Sequence, residues 1–253
     1  MLNFKTISIA VIVLLALGIA GGWQWPNIVL LVIGYTILLV WGSYRVDSQF
    51  YMPVICSGDT GGKKIAISFD DGPDAETTKQ VLDILAEKKL PAAFFCIGHK
   101  LDAQAALVQR ATREGHMIGN HSYSHVNAFG FFSASKVKKE LEQTNTALEK
   151  ITGKKTRFFR PPFGVTNPNI AKAVRQTGMK AIGWNIRSLD TVAQNEEKLL
   201  ANVLGSLKPG AIVLFHDTMP VTVHILPDFI DSARNLGYVF VRLDELINEK
   251  AYA

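Results

Sequence analysis

The amino-acid sequence reads as an α/β protein: a distorted or incomplete (β/α) barrel of about seven strands, preceded by a transmembrane helical hairpin. Three observations predict this class. From residue 63 onward, short apolar runs alternate with amphipathic segments, the pattern of successive βα units with parallel strands. The stretch 63–253 holds seven such runs and falls short of the ~250 residues that a closed eight-unit barrel takes. Between Thr6 and Tyr44 there is not one Asp, Glu, Lys or Arg.

That charge-free run comes first in the chain and is long enough for two spans, because one membrane-crossing helix needs ~20 apolar residues. Gly21-Gly22-Trp23-Gln24-Trp25-Pro26-Asn27 breaks it with turn residues. Trp23 and Trp25 suit one headgroup boundary, and Trp41 and Tyr44 suit the other. The expected organisation is two transmembrane helices over 1–45, a polar linker over 46–62 and a catalytic domain over 63–253. A cleaved signal peptide is the rival for the first segment, since Lys5 precedes an apolar core and small residues; the second segment would still hold the chain at a cell membrane. Two uncleaved spans put the domain on the same side as Lys5 and Arg45, a faint positive-inside signal for a cytoplasmic domain that rests on one basic residue at each end and leaves its side open.

Within the domain, strands are expected at 65–69, 92–97, 117–119, 157–159, 181–184, 211–215 and 239–242. Helices are expected at 76–89, 103–114, 134–151, 168–177, 196–207 and 223–236. The apolar spacing of Val81, Leu82 and Leu85, and of Val137, Leu141 and Leu148, is helical.

The chain carries 27 Lys and Arg against 22 Asp and Glu. Its basic residues are dispersed in pairs such as Lys63-Lys64 and Lys138-Lys139, without the clusters and interleaved aromatics of a nucleic-acid surface. Two cysteines, Cys56 and Cys96, make no disulfide framework, and neither reads as catalytic.

Chemistry enters at Asp70-Asp71-Gly72-Pro73, where an apolar strand runs into two carboxylates and a turn. Alone, this is a good turn sequence. His121-Ser122-Tyr123-Ser124-His125 alone is a histidine pair that helical spacing would place on one face. Together they offer three protein ligands to a divalent ion and leave positions open for water, as catalytic metals require. Three further segments follow short apolar runs, at the strand ends where α/β enzymes collect their chemistry. They are Arg160-Pro161-Pro162-Phe163-Gly164, Trp184-Asn185-Ile186-Arg187-Ser188-Leu189-Asp190-Thr191 and Ile212-Val213-Leu214-Phe215-His216-Asp217.

In order, these five segments resemble the polysaccharide deacetylases with the nodulation-protein-B homology domain, carbohydrate esterase family four. The fourth departs: where the family reads Trp-x-x-Asp-x-x-Asp-Trp, this chain has Arg187 for the first Asp and Thr191 for the last Trp. The resemblance implies a metal-dependent hydrolase in which Asp71, His121 and His125 bind one divalent ion, zinc first, with cobalt, nickel, iron or manganese able to occupy the same set. It implies Asp70 as general base, His216 as general acid, Asp190 tuning that imidazole and Arg160 pairing with Asp70. It places Leu214 in the acyl pocket and the Phe163 backbone N–H at the developing oxyanion.

The implied substrate is an amino-sugar polymer, peptidoglycan or a surface polysaccharide, losing N-acetyl groups beside a lipid bilayer, and such polymers favour an extracytoplasmic domain. A deacylase or deformylase of a lipid-linked sugar keeps the same chemistry, and an inactive glycan-binding membrane protein is the reading from another class.

Overall fold

The computed structural model describes residues 3–253. Its strands are β1 (Val54–Ile55), β2 (Lys64–Asp70), β3 (Ala93–Cys96), β4 (Met117–Asn120), β5 (Phe158–Phe159), β6 (Lys180–Ile182), β7 (Ile186–Arg187), β8 (Ala211–His216) and β9 (Val239–Phe240). Its helices are α1 (Phe4–Ala20), α2 (Trp25–Tyr44), α3 (Thr77–Lys88), α4 (Ala105–Arg113), α5 (Ala134–Thr152), α6 (Pro168–Thr177), α7 (Glu196–Gly205), α8 (Pro220–Asn235) and α9 (Leu243–Leu246).

One sheet joins all the strands in the order β1-β6-β5-β4-β3-β2-β8-β7, with β9 added beside the start of β2, and every pairing is parallel. β1 and β7 end this path without pairing to each other, so the barrel is incomplete, as expected. All seven expected strands are present, and two more, β1 and β7, are only two residues long. Such pieces carry too little periodicity to stand out in a sequence.

The side chains of β2 alternate between two faces. Ile65, Ile67 and Phe69 pack with Val81, Leu82 and Leu85 of α3 and with Phe215 and Phe229 of β8 and α8. Ala66 points the other way, into the barrel, with Phe95, Met117, Phe158 and Ile212. Ser68 and Asp70 share that inward face, so the interior is apolar at its base and polar at the carboxyl ends of the strands. In register Ser68 faces Leu214 and Asp70 faces His216, so two motifs 140-odd residues apart meet as neighbours on adjacent strands.

The segment 46–62, expected as a linker, is largely structured. Val46, Phe50, Met52 and Val54 are buried, and Val54–Ile55 pairs with β6, so the domain begins before residue 63. Phe50 packs on Gly42 of α2, where a Cβ would overlap its ring. The Ser43 and Thr166 hydroxyls tie this corner down, bonding to Thr166 O at 2.7 Å and Gly42 O at 3.3 Å. α1 and α2 run antiparallel, joined through a turn in which Trp23 N–H donates to Gly18 O at 2.8 Å, with Ser8 and Tyr35 hydroxyls 2.7 Å apart between them. Among the described residues α2, with 20 residues, is the one helix long and apolar enough to cross a membrane; α1 is apolar over 17.

Candidate active site

The carboxyl ends of β2, β4, β5 and β8 bring the chemistry together. Asp70 ends β2, and Asp71 follows in the left-handed region with φ 73°. Its neighbour Gly72 lies against the Asp217 carboxyl so closely that no Cβ would fit. His121 follows β4, but the segment to His125 is not a helix. Ser122 and His125 adopt φ 63° and 48°, folding the loop back so that the two imidazole rings lie 4.6 Å apart. Non-glycine residues rarely hold this conformation, and it persists where surrounding structure over-determines it.

Here that structure is Glu140. Its buried carboxylate accepts from the N–H groups of Tyr123 and Ser124 at 3.0 and 2.7 Å and from the Ser124 hydroxyl. Asn120 Oδ1 accepts from Ser122 N–H at 2.9 Å. Glu140 escaped the sequence reading, although an acid inside the apolar stripe of Val137, Leu141 and Leu148 was a legible sign of an inward-facing carboxylate.

Asp71, His121 and His125 each present one ligand atom, all within 4.8 Å of one another. His121 Nε2 and His125 Nε2 stand 3.4 and 3.3 Å from Asp71 Oδ1. Ligand atoms ~2.1 Å from a tetrahedral ion lie roughly 3.4 Å apart, so the two carboxylate–imidazole spacings fit one. Asp71 Oδ1 is buried with no hydrogen-bond partner among the described residues, as an oxygen left for an ion would be. His121 Nδ1 lies 2.8 Å from the Arg160 carbonyl; donating its proton there leaves Nε2 free as a ligand. Burial, then the neighbouring His121, push His125 down to about 4, so its ring is neutral at physiological pH and open to ligation.

Arg160 is wholly buried. Its Nη1 donates to Asp70 Oδ1 and to Ser68 Oγ, both at 2.8 Å, and its Nη2 to Gly183 O at 3.0 Å. The guanidinium also lies 4.0 Å over the Phe95 ring. Asp70, 3% exposed, has its other oxygen 3.7 Å from His121 Nε2.

His216 Nδ1 pairs with Asp190 Oδ1 at 2.7 Å, while Asp190 Oδ2 accepts from His216 N–H and the Thr222 hydroxyl at 2.7 and 2.6 Å. Burial disfavours the His216 imidazolium, but the bond and charge of Asp190, with Asp70 and Asp71, outweigh it and raise this histidine above its ordinary value. Its Nε2 lies 4.0 Å from Asp71 Oδ2, facing the candidate metal ligands. Thr222, like Ser68, was not foreseen: a lone hydroxyl in an amphipathic segment carries no mark of its partner.

Phe163 also holds a left-handed φ of 58°, within a turn whose backbone bonds run from Gly164 and Val165 to the two prolines. Its ring stands 4.8 Å from that of His125. Leu214 is buried on the inward face of β8, two residues below His216. Thr191, in the altered fourth motif, is exposed beside exposed Leu189 and Val192. Asp217 was unassigned; burial raises its carboxyl to about 7, with the 2.6 Å bond from Thr78 Oγ1 working against that. His99, His116 and His224 lie outside the cluster: His116 Nδ1 caps Ala92 N–H in the core, and His224 pairs with Glu196 at the surface.

A profile of the polysaccharide deacetylase family matches residues 57–182. The peptidoglycan-N-acetylmuramic acid deacetylase PdaA of Bacillus subtilis is 33% identical over 197 residues, covering 76% of this chain and 74% of that protein. The peptidoglycan-N-acetylglucosamine deacetylase PgdA of Listeria monocytogenes is 34% identical over 205 residues, 81% of this chain but 43% of that longer protein. Among solved structures, the Bc1960 peptidoglycan N-acetylglucosamine deacetylase superposes with a TM-score of 0.75 at 29% identity, covering 79% of this chain and 95% of that one. A carbohydrate esterase family four pseudoenzyme from Bacillus anthracis superposes at 0.71 with 27% identity over 77% of this chain and 68% of its own, so this fold occurs with and without activity. On these matches the chain belongs to the polysaccharide deacetylase family, carbohydrate esterase family four, whose enzymes hydrolyse carbon–nitrogen bonds other than peptide bonds.

Proposed function

We propose that this chain is a membrane-anchored, divalent-metal-dependent N-deacetylase of an amino-sugar polymer, peptidoglycan or a surface polysaccharide. One observation carries the reading: an orphaned Asp71 oxygen at ligand spacing from two imidazoles, with a buried carboxylate on one side and a carboxylate-backed imidazole on the other. A glycan binder without activity has no use for a complete base, acid and ligand set.

Asp71, His121 and His125 would hold the ion, and this oxygen-and-imidazole donor set suits zinc, with cobalt, nickel, iron or manganese able to replace it. Such an ion supplies Lewis-acid polarisation of the acyl carbonyl and lowers the pKa of a water toward ~7. Asp70, aimed by Arg160, takes the proton of the attacking water. The Phe163 N–H serves as donor to the oxyanion that develops on the acyl oxygen, and Leu214 meets the acyl methyl. An amine leaves only when protonated, and His216 Nε2 delivers that proton while Asp190 keeps Nδ1 occupied. α2, with α1 packed beside it, anchors the domain, and the extracytoplasmic location of such polymers puts the domain outside.

Metal content and turnover separate these roles. His121→Ala and His125→Ala are each expected to abolish stoichiometric metal in the purified chain, whereas Asp70→Asn keeps the metal and loses ~10²–10⁴-fold in acetate release from an N-acetyl oligosaccharide. Full metal in both histidine variants, or full turnover in Asp70→Asn, contradicts the assignment.

The pH profile tests His216. The acid must be protonated, and its raised pKa keeps it so above the ordinary ~6.5; activity then falls as pH rises through the shifted value. Asp190→Asn removes the partner that raises it, so the alkaline limb of kcat/KM moves to lower pH. An unmoved limb rules out Asp190 as the tuning group.

Membrane topology is read by an impermeant thiol reagent on intact cells, in a Cys56→Ser background whose remaining Cys96 is buried, with one cysteine added at Asn3, Gln24 or Ser57. A two-span hairpin labels Asn3→Cys and Ser57→Cys alike and Gln24→Cys oppositely. Opposite labelling of Asn3→Cys and Ser57→Cys means a single span.

A further inference from the structure

Between the carboxyl end of α2 and the catalytic cluster lies a cavity of about 420 Å³. Its walls include Arg45 and Asp47 beyond α2, Trp184 and Arg187 of the fourth motif, Lys208 before β8, and Phe163. Phe163 is the shared wall, because its ring also stands against the imidazole of His125. Arg45 is spent on Asp47 through two bonds of 2.9 and 2.8 Å. Arg187 and Lys208 have no ion pair or side-chain hydrogen bond among the described residues, so the cavity holds two uncommitted cations and no uncommitted anion. Arg187 also stands where the family motif carries an aspartate, so the change of sign falls in this cavity.

Guanidinium and ammonium groups converging on one concavity suit phosphate oxygens, which a fork can bind in pairs and a point charge can neutralise. The position narrows the source. A lipid lying alongside the apolar α2 brings its headgroup phosphates to the level of Tyr44 and Arg45, and whatever the phosphates carry extends past Phe163 toward the ligand cluster. We propose that the cavity takes the diphosphate joining an N-acetylated amino sugar to a membrane lipid, so that the enzyme's preferred glycan is lipid-linked and handled at the bilayer. This rests on the deacetylase reading for what happens to the sugar, and on Arg187 and Lys208 for its selection.

The test uses the full chain and two probes with the same sugar: N-acetylglucosamine joined through a diphosphate to a short, water-soluble prenol, and a neutral N-acetylglucosamine oligosaccharide. Calorimetric binding of the diphosphate probe is expected to weaken at least tenfold in Arg187→Ala and in Lys208→Ala, further in Arg187→Glu, and to recover in part in Arg187→Lys. The ratio of kcat/KM for the diphosphate probe to that for the neutral one is expected to collapse by a similar factor, through KM. Equal binding by wild type and variants, or no wild-type preference for the diphosphate probe, overturns the proposal. So does a dependence on these two residues seen only with phosphatidylglycerol vesicles, which would assign the cavity to bulk headgroups. Variant-sensitive binding of the diphosphate probe without acetate release from either probe leaves the cavity's ligand supported and sinks the deacetylase reading instead.

Discussion

Everything at the site hangs on one buried guanidinium. Arg160 takes a full charge into the barrel, where an unpaired ion costs several kcal/mol. Its solution is to bond Asp70, Ser68 and Gly183 at once and to lie on the Phe95 face. The same residue's backbone joins the site as well. Its N–H donates to Asn120 O, and its carbonyl receives Nδ1 of His121. A single side chain and its peptide units thus hold the Asp70 carboxylate, orient the His121 ring and tie β2, β4 and β6 together at their carboxyl ends.

A second constraint is conformational. Asp71, His125, Phe163 and Leu189 all sit in the left-handed region, one in each of four loops around the site. None is glycine, so each loop stores a little strain that its neighbours must hold. Glu140 does this for the histidine loop, and the prolines do it for Phe163, because two fixed φ angles leave little freedom before the turn. The result is a first layer of chemical groups whose positions are set by residues behind them.

Much of this was legible in the chain. The apolar runs that became β2, β3, β4 and β8 stood out because each is buried on both faces. Asp70, Asp71, His121, His125 and His216 stood out because carboxylates and imidazoles at strand ends have few other uses. What escaped was either too short or too remote in sequence. β1 and β7 have two residues each, and Ser68 and Thr222 acquire meaning only from partners 92 and 32 residues away, whereas Glu140 was legible from the apolar stripe around it and was missed. Arg160 was foreseen as Asp70's partner, but its complete burial follows from the way the open, curled sheet packs around it, which no local pattern encodes. The stretch 46–62 looked polar enough for a linker, yet its scattered Val46, Phe50, Met52 and Val54 turned out to cover one open edge of the sheet.

The altered fourth motif changes the surroundings of the site and leaves its centre intact. Asp190 keeps all its bonds to His216 and Thr222, while Thr191 leaves Leu189 and Val192 exposed at the rim and Arg187 turns one wall cationic. The centre itself stands or falls with the Arg160–Asp70 pair. A double-mutant cycle on the unfolding free energy, with Arg160→Met, Asp70→Asn and both together, measures it most directly. The account predicts that Arg160→Met alone costs roughly 3–5 kcal/mol by stranding the Asp70 charge, and that adding Asp70→Asn recovers a large part of that loss. Purely additive effects of the two substitutions would contradict it.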